Sequence, residues 1–187
     1  MSLVPGIAMA HSGGAVPIGG FLSGLVHPVL GYDHLLAMLC VGIVSAQIGG
    51  RAIWTVPGTF VTFMAVGGVL GLIDMGLTVT TIEFAIAVSL VLFGLVIAAD
   101  KRLPVRVTML GVGFFAIFHG YAHGREMPET AEPVLYGLGF LLGTALIHVT
   151  GVVIGDISKH YEHGRSILRV SGGAIALIGL MLIFGVI

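Results

Sequence analysis

An all-α membrane protein, built as a bundle of six transmembrane helices, is the fold class that this sequence predicts, and three observations carry the prediction. Of 187 residues, 57% are hydrophobic and only 9% are charged, against about 25% charged in an ordinary soluble domain. The apolar residues gather into six stretches, each long enough to supply the roughly 20 residues that cross a hydrocarbon core. Thirty glycines suit helices that approach closely in lipid, where small residues mark the contacts.

The first span is expected from Ile18 to Ile48, with Asp33 as its only formal charge, and the second from Ala52 to Ile73. The third runs from Val79 to Ala99, with Glu83 near its start, and the fourth from Val105 to Ala122. Pro133 to Gly155 forms the fifth, and Ile167 to Ile187 the sixth. Short connections hold nearly all the remaining charge. Arg51, then Lys101, Arg102 and Arg106, then Lys159, Arg165 and Arg169 fall on one side, and only Arg125 on the other. Positive residues are retained in the cytoplasm, so both termini are expected outside, on the periplasmic side of the inner (plasma) membrane. The outer side carries Asp74, Glu126, Glu129 and Glu132, a field that concentrates cations.

Residues 1–10 read as the remnant of a leader, and residues 11–187 as a single six-helix transmembrane domain. Ala8-Met9-Ala10 resembles a signal-peptidase site, but the basic and long apolar regions of a full leader are missing. Cleavage after Ala10 would leave His11 as a free-amine chelate, a further candidate ligand. Cys40 is the single cysteine and forms no internal disulfide. No basic run suits nucleic acid.

Ionisable groups inside a span cost roughly 2.5–3.5 kcal/mol each on insertion scales and are functional candidates by default. The first cluster is His27-Pro28-Val29-Leu30-Gly31-Tyr32-Asp33-His34. Pro28 removes a helical donor and Gly31 weakens the helix, so the first helix is expected to break near Pro28–Gly31. In an unbroken helix His27 and His34 would stand about 10.5 Å apart along the axis, too far for one ion. Either the segment unwinds to gather His27, Asp33 and His34, or these residues form successive stations.

The second cluster ends the fourth span. His119 and His123 share a face at i, i+4, Glu126 follows three residues on, and Gly124 is expected to end the helix. His148 in the fifth span is a third candidate, equally well read as a satisfied core histidine. The bland readings are a buried polar network for the first cluster and an interfacial pair for the second. Glu83 is expected as a first-turn acid favoured by the helix dipole. His160 and His163 read as solvated, and Met38, Met64, Met109 and Met181 as packing residues.

Together these motifs resemble the HupE/UreJ family of hydrogenase and urease accessory membrane proteins, regarded as nickel or cobalt permeases. The likeness rests on His27-Pro28 through Asp33-His34 to Met38, on His119-Gly120 with Ala122-His123-Gly124 and Glu126, and on Gly139-Phe140 through Thr144-Ala145 to His148 and Gly151. It implies uptake of Ni2+ (or Co2+) as cargo, with no prosthetic group and no enzyme activity, in support of metalloenzyme maturation. It leaves room for a metallochaperone on the cytoplasmic side and for an oligomer. The residues alone imply a borderline divalent metal, zinc included, because imidazole suits several such ions.

Ligand histidines must be neutral, so uptake is expected to weaken as pH falls through about 6.5, the ordinary histidine value. No phosphate-binding loop of the Gly-x-x-x-x-Gly-Lys-Ser/Thr type is present. A doubly charged ion moving inward across 100 mV gains about 4.6 kcal/mol, at about 2.3 per charge. The rival readings are an intramembrane zinc-dependent hydrolase, which needs its ligands converged at one depth, and a metal-binding assembly partner that transports nothing.

Overall fold

Lipid offers the backbone no hydrogen bonds, so each crossing segment must satisfy its own peptide groups, which helices do. A computed structural model describes residues 20–129 and 131–187, and the described chain is helical throughout apart from short connections. His11 and the leader-like segment lie outside the described residues. The elements are α1 (Gly20–Leu30), α2 (Tyr32–Ile48), α3 (Ala52–Leu72), α4 (Val79–Ala99), α5 (Val105–Arg125), α6 (Pro133–Ile157) and α7 (Gly164–Ile183), with a short 3₁₀ turn at Ser158–His160 between the last two.

Five of these helices are long and apolar enough to cross a membrane, and α1 with α2 makes a sixth span bent by 84°. The bend falls at Gly31, whose backbone is extended (φ −94°, ψ 112°). Pro28 sits inside α1, so the break comes three residues after the proline. Both halves follow α6 in the same direction. Gly24 and Gly139 let α1 meet the first half of α6, at Tyr136 and Phe21, while Gly42 and Gly151 let α2 meet its second half, at His148 and Leu39. A hairpin would reverse that order.

Glycine seams also join α3 to α5 and α4 to α7. A side chain on Gly67, Gly71 or Gly120 would strike the carbonyl of Ile117, Tyr121 or Met64. On the second seam, Gly94 would meet the Gly172 carbonyl at 2.6 Å. Gly124 belongs to the α3–α5 seam, packed against the Gly68 carbonyl. This corrects its expected role: the helix runs on to Arg125, because the missing side chain serves packing rather than termination. The core between the helices is filled by Met38, Val41, Val56, Phe60, Phe115 and Phe140, among others. Trp54, Leu110, Val170 and many other large apolar residues face outward, as lipid allows.

The basic connections share one end of the bundle. Gln47 at the end of α2 donates to Asp100 Oδ1 at 3.2 Å and to the Ile97 carbonyl at 3.3 Å. Arg169 near the start of α7 donates to the Ala98 carbonyl at 3.0 Å. The three basic connections therefore meet around the end of α4. The break in the first span, the end of α5 and the α3–α4 loop lie at the other end.

Candidate metal site

At Gly31 the chain changes direction, and this carries His27, at the end of α1, toward His123 on α5. Their ring centroids are 4.9 Å apart. His34, in the first turn of α2, approaches the same helix from the other side of the break, 4.4 Å from His123 and 5.2 Å from His119. Glu126, the C-cap of α5, closes the group: its Oε2 lies 3.3 Å from His27 Nε2 and 3.4 Å from His123 Nδ1. One ligand atom each from His27, His123 and Glu126 falls within 4.8 Å of the others, the one such metal-compatible triad among the described residues. Imidazole nitrogens and carboxylate oxygens bind a borderline divalent ion at about 2.0–2.2 Å, so a small contraction would bring all three onto one ion.

Hydrogen bonds decide which nitrogen each deeper histidine presents. A carboxylate or carbonyl oxygen only accepts. His34 Nδ1 lies 2.9 Å from Asp33 Oδ1, so Nδ1 carries a hydrogen and, in the neutral ring, Nε2 is bare. His119 Nδ1 donates to the Phe115 carbonyl at 2.9 Å, which leaves Nε2 bare there too. Both Nε2 atoms are buried without a protein partner. A ring whose far N–H is held by a carboxylate or carbonyl is the arrangement that orients a metal-binding histidine. Asp33 thus buttresses His34 in this geometry and stands outside the close triad.

His148 is buried on α6 with both ring nitrogens unpartnered. Its ring contact is with Phe60, at 4.9 Å, and Phe60 also touches His119, at 5.3 Å. The predicted residues therefore form a descending series: Glu126 with His27 and His123, then His34 and His119, then His148 beyond an aromatic ring. His119 and His123 were expected on one helical face; the close triad includes His123, and His119 lies one turn deeper on α5, beside His34.

A cavity of about 150 Å3 opens onto the outer residues of this series, lined among others by His27, Asp33, His34, Glu83, His123 and Glu126. Glu83 corrects an expectation. The first turn of α4 holds no acid, and Thr78 caps the helix by accepting from Thr81 N at 3.2 Å. Glu83 instead faces the cavity. His160 is exposed and donates to the Asp156 carbonyl at 3.0 Å, far in sequence and by bundle end from the cluster. A second, apolar cavity of about 360 Å3 between α3, α5 and α6 reaches His123 from the side.

Sequence reasoning missed several neighbours. Tyr136 and Phe140, one turn apart on α6, form an aromatic wall against His27 at 5.7 and 6.1 Å. Their i, i+4 spacing was visible, but nothing in the sequence aimed that face at α1. Asp74 in the α3–α4 loop was read only as part of the acidic outer face, and its partners were not foreseen. Tyr121 Oη donates to its Oδ1 at 2.9 Å, and Arg125 Nη1 to the same oxygen at 3.3 Å. The Tyr121 hydroxyl, helped by the Gly76 N–H and Arg125, holds the Asp74 carboxyl below the usual carboxylate range.

The family model described as HupE / UreJ protein matches residues 1–182. Over 182 residues the chain is 41% identical to "Protein HupE" of Rhizobium leguminosarum bv. viciae, covering 97% of this chain and 93% of that protein. No solved structure matches the chain.

Proposed function

The chain belongs to the HupE/UreJ family, and on that premise we propose that it carries a divalent transition metal, Ni2+ or Co2+, inward through its bundle. The observation that carries this reading is the convergence of four histidines from α1, α2 and α5 on the residues around one cavity, with Glu126 at its mouth. Such groups are costly in lipid, and three of the four have a buried ring nitrogen with no hydrogen-bond partner. Metal passes from Glu126, His27 and His123 to His34 and His119, and then to His148. The cavity end faces outward, as the basic opposite end suggests, and the cargo supports hydrogenase or urease maturation.

A graded series of ligands suits passage better than hydrolysis, which needs one closed metal with an open water position. Uptake of Ni2+ and Co2+ into vesicles tests the reading. Right-side-out vesicles holding the wild type should accumulate metal at least tenfold faster than those with His123→Ala or His34→Ala, since lost metal-site groups cost about 10–100-fold. Equal rates for all three proteins would overturn the assignment.

A further inference from the structure

Arg125 is the one cationic side chain among the cavity-lining residues, which include Glu83, Asp33 and Glu126. It follows Gly124 and precedes Glu126 in sequence, next to the outermost carboxylate of the site. A guanidinium is always charged and pairs with carboxylates in a planar fork. Free to swing, it would neutralise the carboxylate that a metal ion needs.

The structure ties it elsewhere. Arg125 Nη1 donates to Asp74 Oδ1 and to the Leu77 carbonyl, both at 3.3 Å. Asp74 is in turn fixed by Tyr121, whose hydroxyl donates to Asp74 at 2.9 Å and accepts from Leu77 N at 3.2 Å. Tyr121 is 1% exposed, so the knot is anchored in the core and not only at the surface. Asp74 also has φ +46°, in the left-handed region where most residues are strained and aspartate is better tolerated than most. An exposed ion pair adds little to stability, which makes a purely stabilising role for this knot a poor account of it.

We propose that Asp74 is a positioning residue that holds Arg125 away from Glu126, so that the protein's own cation does not compete with the incoming metal. This rests on the metal-site reading above. Asp74 touches no metal; it acts by fixing where the nearest fixed positive charge sits. Moving that charge by a few ångströms beside a divalent ion changes affinity measurably, because Coulomb energy scales inversely with distance and is weakly screened at a low-dielectric boundary.

Equilibrium binding of Ni2+ to the purified full chain in detergent tests this without needing transport. Asp74→Asn should weaken binding about tenfold. Adding Arg125→Gln to Asp74→Asn should restore wild-type affinity or better, and Arg125→Gln alone should bind at least as tightly as wild type. A merely structural Asp74 would not be rescued by removing a second hydrogen-bonding residue, so a double variant as weak as Asp74→Asn overturns the proposal. Wild-type affinity in Asp74→Asn overturns it as well. Should Asp74→Asn fail to fold, as circular dichroism would reveal, Arg125→Gln alone decides: weaker binding than wild type rejects the role. A wild type that binds no Ni2+ would sink the metal-site reading, and this inference with it, whereas a binding wild type with unrescued variants sinks this inference alone.

Discussion

Asp33 and His34 show how much one hydrogen bond fixes. The carboxylate holds Nδ1–H at 2.9 Å, and its Oδ1 also accepts from the His34 backbone N–H at 2.8 Å. Ring orientation and tautomer are therefore set before any ion arrives. Replacing this carboxylate by an amide keeps the shape but permits the wrong tautomer. Asp33→Asn should weaken Ni2+ binding by about 10–100-fold while leaving helical content unchanged, as calorimetry and circular dichroism would show together. These residue types and their spacing were legible in the sequence, because a proline, a glycine and three ionisable groups within eight positions of an apolar run stand out. That the Asp33 carboxylate would meet the His34 ring was not legible, since it depends on which oxygen meets which nitrogen.

At the scale of the element, helix boundaries were read within a few residues, because apolar length and charged connections define them directly. α3 begins where expected, and α4 has the expected bounds. Gly124 and Glu83 were misassigned for a shared reason: the signals for a helix C-terminus and for a dipole-favoured acid are local, while both residues are fixed by a neighbouring helix or cavity. The α3–α5 seam carries a direct prediction. Gly120 lies between His119 and Tyr121, and a methyl there would strike the Met64 carbonyl. Gly120→Ala should destabilise the protein by about 1–3 kcal/mol and weaken metal binding, because α5 must move away from α3 with its histidines. Gly137→Ala, where nothing lies within 4 Å, is the control and should leave the thermal midpoint in place.

For the whole molecule, alternating charge on the connections anticipated a bundle with a basic end and an acidic end, and hydrogen bonds from Gln47 and Arg169 to the end of α4 draw the basic connections together. Hydropathy gave six spans but could not show that α1 and α2 each pack on a different half of α6, which places the break beside α5. An unbroken helix would hold His27 and His34 apart; the expected break is there, and a bend of 84° lets both reach His123.

The protons pinned at His34 and His119 carry a consequence for charge movement. In the neutral form that binds metal, each ring holds its hydrogen on the nitrogen turned away from the open one, so an ion stepping onto Nε2 expels none. On the route proposed above, passage through these two positions would be a current of whole divalent ions with no counterflow of hydrogen at those rings. Vesicles should accordingly gain two positive charges per Ni2+ accumulated, readable as a potential change when uptake and a voltage-sensitive dye are followed together; electroneutral accumulation, with two protons leaving for each Ni2+ entering, would show that both rings trade a proton after all.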